Sequence, residues 1–135
     1  MANPTAYSPL GIIQTAFYQR LSDVLSVPVY DYVPEGAAYP YVRVGEASQT
    51  PDNTLKGYGR ETVHTAHVWT KFRGFSQAST IENEVISALD NHCLVLPEPW
   101  HHVSTVYELS QTLYDPDPEL RHVPIQFRVR TQQKG

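Results

Sequence analysis

The histidines His64, His67, His92, His101, His102 and His122 and the lone Cys93 are the side chains of this chain that could ligate a metal or shuttle a proton. Their spacing argues against a site. His64 and His67 lie three apart in a run that reads as a strand, where successive side chains alternate, so they point to opposite faces of a sheet. The adjacent His101 and His102 diverge in the same way. His92, Cys93, His101 and His122 can meet only through a tertiary arrangement that the sequence does not specify, and neither a CxxC nor an HExxH spacing is present. Cys93 closes an apolar helical pattern and reads as a buried, inert thiol. No metal and no cofactor is expected.

Nucleophilic and phosphate chemistry fare no better. The chain has no GxSxG, no P-loop and no GxGxxG, and Gly57–Arg60, read GYGR, is better explained by glycines that let the chain turn into the strand after them. Asp115 and Asp117 sit in a proline-rich turn, where solvation makes them a poor acid–base pair. The chain does not read as an enzyme. What remains is surface: Tyr30, Tyr32, Tyr39, Tyr41, Tyr58 and Tyr114 fall in or near expected turns, and tyrosine is enriched where proteins meet. That excess favours a protein that assembles with others.

Composition sets the frame. A chain of 135 residues, 41% hydrophobic and 18% charged, is one ordinary globular domain with room for one core, so residues 1–135 are expected to form one unit, with 1–7 and 132–135 flexible. A net charge of -4 gives no general positive field of the kind that holds nucleic acid through its phosphates. No charged leader with an apolar centre opens the chain, and no apolar run nears the ~20 residues of a spanning helix, so a membrane partner is not expected and assembly in a cytosol is.

The elements follow in order. Ser8-Pro9 starts a helix whose stripe is Leu10, Ile13, Phe17, Leu21 and Val24, and Pro28 ends it. Val29 to Val33 and Tyr39 to Glu46 read as strands. Arg60 to Phe72, rich in Val, Thr and Trp without Gly or Pro, is the central strand, with Trp69 expected in the core. A second helix starts at Ser76 with Ala78, Ile81, Val85 and Leu89 inward, Glu82 and Glu84 complementing its dipole, and Asp90-Asn91 at its end. Val103 to Tyr114 and His122 to Thr131 form a closing pair of strands, the latter with Val123, Ile125, Phe127 and Val129 inward. The fold class is α+β: a mostly antiparallel sheet with two amphipathic helices on one face and a long loop between the second and third strands.

That loop, Ala47 to Gly59, is the best candidate site. It is longer than the ~2 to 5 residues of an ordinary hairpin connection and lacks apolar periodicity, as interaction loops often do. It reads either as a plain surface connection or as a protruding arm that contacts a partner through Ser48, Gln49, Thr50, Pro51, Asp52, Asn53, Thr54, Leu55, Lys56 and Tyr58.

Several short motifs share an order. Val29-Tyr30-Asp31 follows the first helix, then come Tyr39-Pro40-Tyr41-Val42 with Gly45, Gly59-Arg60-Glu61, His67-Val68-Trp69, Gly74 before the second helix, and Val123-Pro124-Ile125-Gln126-Phe127-Arg128-Val129. From Leu10 to Thr131 this order resembles the small tail-completion, or tail-to-head joining, proteins of long-tailed bacteriophages, a family similar in fold to tail terminators. His101, His102 and the proline-rich turns lie outside the pattern. The resemblance implies a non-enzymatic virion protein, assembled in the host cytoplasm, that forms a hexameric ring capping the tail tube and docks to the head connector. Sheets of neighbouring subunits would surround a channel through which DNA passes without specific binding. The competing reading is a small bacterial α+β binding or regulatory domain.

Overall fold

The computed structural model describes residues 6–55, 57–72 and 74–134. Helix α1 (Leu10–Val24) buries Ile13, Phe17 and Leu21, each four residues from the next and so on one side of the helix. Leu10 is only half-buried and Val24 is exposed, which shortens the stripe read from the sequence. Pro9 rather than Ser8 is the cap, and its carbonyl accepts the Ile13 N–H at 3.0 Å. Helix α2 (Ser76–Leu89) turns Ala78, Ile81, Val85, Ala88 and Leu89 inward. Its two glutamates serve tertiary contacts instead of the dipole: Glu84 accepts from Ser26 Oγ at 2.9 Å, and Glu82 accepts from Ser110.

Asp90 caps α2 in extended conformation, and Asn91 follows at φ 59°, the left-handed region that asparagine tolerates. The helix therefore stops before Cys93. This corrects the expectation of a buried thiol: Cys93 is carried past the apolar stripe and is exposed.

Among the described residues the strands are β1 (Val29–Tyr30), β2 (Tyr41–Pro51), β3 (Gly59–Lys71), β4 (Trp100–Ser110), β5 (Leu113–Tyr114) and β6 (Leu120–Gln133). They form one sheet in the order β1-β2-β3-β6-β4, with β5 also on β6, and only the β1–β2 pair is parallel. The central strand is thus in the middle, as its apolar, breaker-free sequence requires. Opposed pairs Thr62↔Val129, His64↔Phe127, Ala66↔Ile125 and Val68↔Val123 put the buried residues of β3 and β6 on the face that both helices cover. This is the α+β architecture expected, with Phe17, Phe127, Ile125 and Leu21 at its centre.

Several boundaries differ from the sequence reading. β1 stops at Tyr30, because the chain bends at Asp31 instead of running on to Val33. The strand expected from Val103 to Tyr114 starts at Trp100 and ends at Ser110, with irregularities between His102 and Ser104 and between Tyr107 and Leu109. Those irregularities break the alternation, and Val103 and Leu109 face solvent. β6 runs through Gln132 and Gln133, paired with β3 and β4, so these residues are not a loose tail, although Gly135 lies outside the described residues. Of the expected N-terminal arm, 1–5 lie outside the described residues, while Tyr7 N–H donates to Gln133 Oε1 at 2.9 Å. No described helix is long and apolar enough to cross a membrane.

Candidate functional site

The stretch read as a loop is mostly hairpin. Ala47–Pro51 continues β2 and pairs with β3 from Ala47↔His64 to Pro51↔Arg60, after a register shift between Val44 and Ala47. The expected long loop is corrected to a short turn. Sequence pattern missed the strand because Ser48, Gln49, Thr50 and Pro51 all stand exposed, beyond the part of the sheet that buries an apolar face.

At the turn, Asp52 N–H donates to the Gly59 carbonyl at 2.9 Å and Thr54 bridges Gly57. Asn53 Oδ1 accepts the Gly59 N–H at 3.2 Å, and the Asp52 carboxylate accepts from Arg130 Nε at 2.9 Å. Gly59 is dictated by space: a Cβ there would lie 2.2 Å from the Asp52 carbonyl oxygen. Of the ten expected contact residues, Asp52 and Asn53 thus hold the hairpin together, and the Tyr58 carbonyl accepts from Gln133 N–H at 2.8 Å. Ser48, Gln49, Thr50, Pro51, Thr54 and the fully exposed Leu55 are presented outward. Lys56 lies outside the described residues.

Among the described residues the outer edge of β2 is open, and that of β4 is covered in part by the end of α2: the Thr105 carbonyl accepts from Asn91 N–H and the Tyr107 N–H donates to Asp90 Oδ1, both at 2.8 Å. β1 meets β2 only at Val42 and Arg43, which leaves the outer edge of β2 from Val44 onward without a strand partner. At the other edge β4 displays Val103, Val106 and Leu109 to solvent. Unpaired strand edges offer rows of N–H and C=O groups that another strand can use.

The face of the sheet away from the helices holds Arg128 and Arg130 in ion pairs, while Arg43, opposite His67, is exposed. Arg128 on β6 lies between Glu61 of β3 and Glu108 of β4, with its Nε 3.1 Å from Glu108 Oε2. Trp69 is on this face, which corrects its expected place in the core: it shares strand parity with His67, not with Val68. The tyrosines divide as well: Tyr41 is buried against Tyr39 and Tyr30, while Tyr32 and Tyr114 are largely exposed.

The histidines take two faces, as their spacing requires. His64 is buried against Phe17, its Nε2 3.0 Å from Thr62 Oγ1, and burial lowers its pKa to about 4. His67 lies on the open face, where Nε2 meets Glu46 Oε1 and Nδ1 meets His122 Nε2, both at 2.6 Å. His122 stacks on Trp69 with ring centres 3.9 Å apart. Burial and then His67 lower the His122 pKa to about 4, and the hydrogen bond from His67 lowers that of Glu46.

Of the histidines left to tertiary chance, His122 meets His67 instead of His92, Cys93 or His101. His92, Cys93 and His102 line a shallow cavity of about 190 Å³, and His102 Nε2 is engaged with Thr105 Oγ1 at 2.7 Å. No group of three or more His, Cys, Asp or Glu among the described residues is arranged around a common metal position. His122 shares strand parity with Gln126, Arg128 and Arg130, so its face was readable from the sequence; its neighbour His67 required knowing that β3 pairs with β6.

The model of the family described as tail completion protein gp17 matches residues 16–132. The chain is 31% identical over 90 residues to the tail completion protein gp17 of Bacillus phage SPP1, a stretch that spans 67% of this chain and 66% of that relative, a little under two thirds of its length. In structure it is similar to a chain from the virion of a native gene transfer agent particle, with TM-score 0.83 and 26% identity over 94% of this chain and 99% of that one. The structure of bacteriophage SPP1 gp17 is similar with TM-score 0.50 and 25% identity over 90% of this chain and 87% of that one.

Proposed function

The chain belongs to the tail completion protein gp17 family, structural proteins of the phage virion, and on that premise we propose that it caps the tail tube as a hexameric ring and joins the tail to the head connector. The observation that carries the ring is a pair of unlike edges, the open outer edge of β2 and the edge of β4, which Asp90 and Asn91 cover only at Thr105 and Tyr107. A subunit with two different edges can pair head to tail with its copies, and such contacts close into a ring when the rotation permits. Side chains then set which edge meets which.

The open face supports a channel wall. Arg128 and Arg130 are held by carboxylates of the same chain, so they offer DNA phosphates little net charge, and a wall that gripped phosphates would slow passage. The β2–β3 hairpin, with Leu55 at its tip, is the element we give to contact with the tail tube or connector. The role is structural and asks for surfaces, not a reaction.

Imaging tails that carry a tagged copy of this protein tests the placement. Extra density confined to the head-proximal end is the expected result. Density spread along the tube, or at the host-binding tip, contradicts it.

A further inference from the structure

Glu46, His67 and His122 form a chain whose protons can be placed. A carboxylate only accepts, so His67 Nε2 must donate to Glu46 across 2.6 Å. When His67 is the neutral imidazole its Nδ1 carries a lone pair, and His122 Nε2 donates to it across the other 2.6 Å. One proton therefore holds together two imidazole nitrogens that face each other across β3 and β6. A Lewis acid can take its place.

We propose that His67 Nδ1 and His122 Nε2 form a two-histidine binding site for a borderline divalent cation, Zn2+ foremost, linking β3 to β6 on the open face of the sheet. Three features make the site a built one. Glu46 fixes the tautomer and orientation of His67 from behind, the carboxylate–histidine–metal arrangement that makes imidazole a better ligand. Gly45 leaves the space that His67 occupies, since a Cβ there would lie 2.5 Å from His67 Cδ2. Trp69 lies flat against His122 at 6° between planes and keeps that ring facing its partner.

The exchange balances. His122 releases its Nε2 proton to solvent and takes one up at Nδ1, remaining neutral, while the cation accepts the freed Nε2 lone pair. Two nitrogens at one tetrahedral zinc stand about 3.3 Å apart, so the rings must part by about 0.7 Å. Water fills the other positions, which is consistent with the absence of a three-residue cage among the described residues. The proposal does not depend on the assembly role.

The test uses Trp69 as reporter in full-length protein carrying Trp100→Phe, with Cys93→Ser and His102→Gln to silence the second histidine-lined cavity. NiCl2 should quench Trp69 fluorescence saturably with one ion per chain, and ZnCl2 should displace it. His122→Phe, which keeps a ring against Trp69, and His67→Gln should each abolish saturation, while Glu46→Gln should weaken binding ~10-fold or more. Absence of saturable quenching below about 1 mM, beyond which affinity is too weak to matter, overturns the proposal whatever the variants do. So does saturation that survives in either folded histidine variant, with folding checked by near-ultraviolet circular dichroism.

Discussion

Phe17 of α1 and Phe127 of β6 meet edge to face, with ring centres 6.0 Å apart and planes at 84°, and neither is exposed to solvent. This contact ties the first helix to the sheet strand that pairs with both β3 and β4. Phe127→Ala removes it and opens a cavity that packed neighbours fill only partly, at a cost of ~3 to 5 kcal/mol, a large share of a domain's stability. A thermal melt should fall by roughly 10 °C or more. A change within a degree or two would show that β6 does not sit in the core as described.

The glycines at 59 and 11 should respond in opposite ways. Gly59→Ala pushes a methyl into the Asp52 carbonyl, so the hairpin turn must open. Amide exchange at Asp52, whose N–H donates to Gly59, should speed up sharply. Gly11 lies in the exposed part of α1 with open space where a side chain would stand, and Gly11→Ala should stabilise the protein by ~0.5 to 1 kcal/mol. Equal melting temperatures for the two variants would contradict the turn geometry.

How much of this was legible in the sequence depends on burial. Where a face is buried, apolar period reveals the element: α2 and the inward set Val123, Ile125, Phe127 and Val129 are where the pattern puts them. Where both faces meet solvent, pattern falls silent, and Ser48 to Pro51 read as loop although their backbones are paired. Trp69 shows a second limit. Its hydrophobicity suggests core, but strand parity places it with His67, and stacking on His122 shields it partly instead. The pairing of His67 with His122 is a tertiary fact: it follows from β3 lying beside β6, which no local signal encodes.

Acid should destabilise the protein through His64. Its pKa is about 4 when folded and about 6.5 when free, so between those values the unfolded chain binds the extra proton and stability falls as pH drops. The stability that depends on a neutral His64 is whole above pH ~6.5 and is lost progressively toward pH ~4, amounting to about 3 kcal/mol at most. Urea melts of the parent and His64→Gln at pH 7.5 and pH 5 measure it. The parent should lose more stability than the variant over that interval; parallel losses would mean that His64 is not kept neutral by burial.

The hairpin tip should matter for assembly and not for folding. Leu55 is fully exposed and outside the core, so Leu55→Ser should change stability by less than ~0.5 kcal/mol. Fewer joined particles should nevertheless form in a complementation assay. If the variant complements as well as the parent, the hairpin is only a connection between β2 and β3.

The most direct test is to assemble tails without this protein and view them by negative-stain electron microscopy. Such tails should be irregular in length and unable to join heads, and adding the purified protein should restore joining. Tails of uniform length that join heads in its absence would contradict the proposed role.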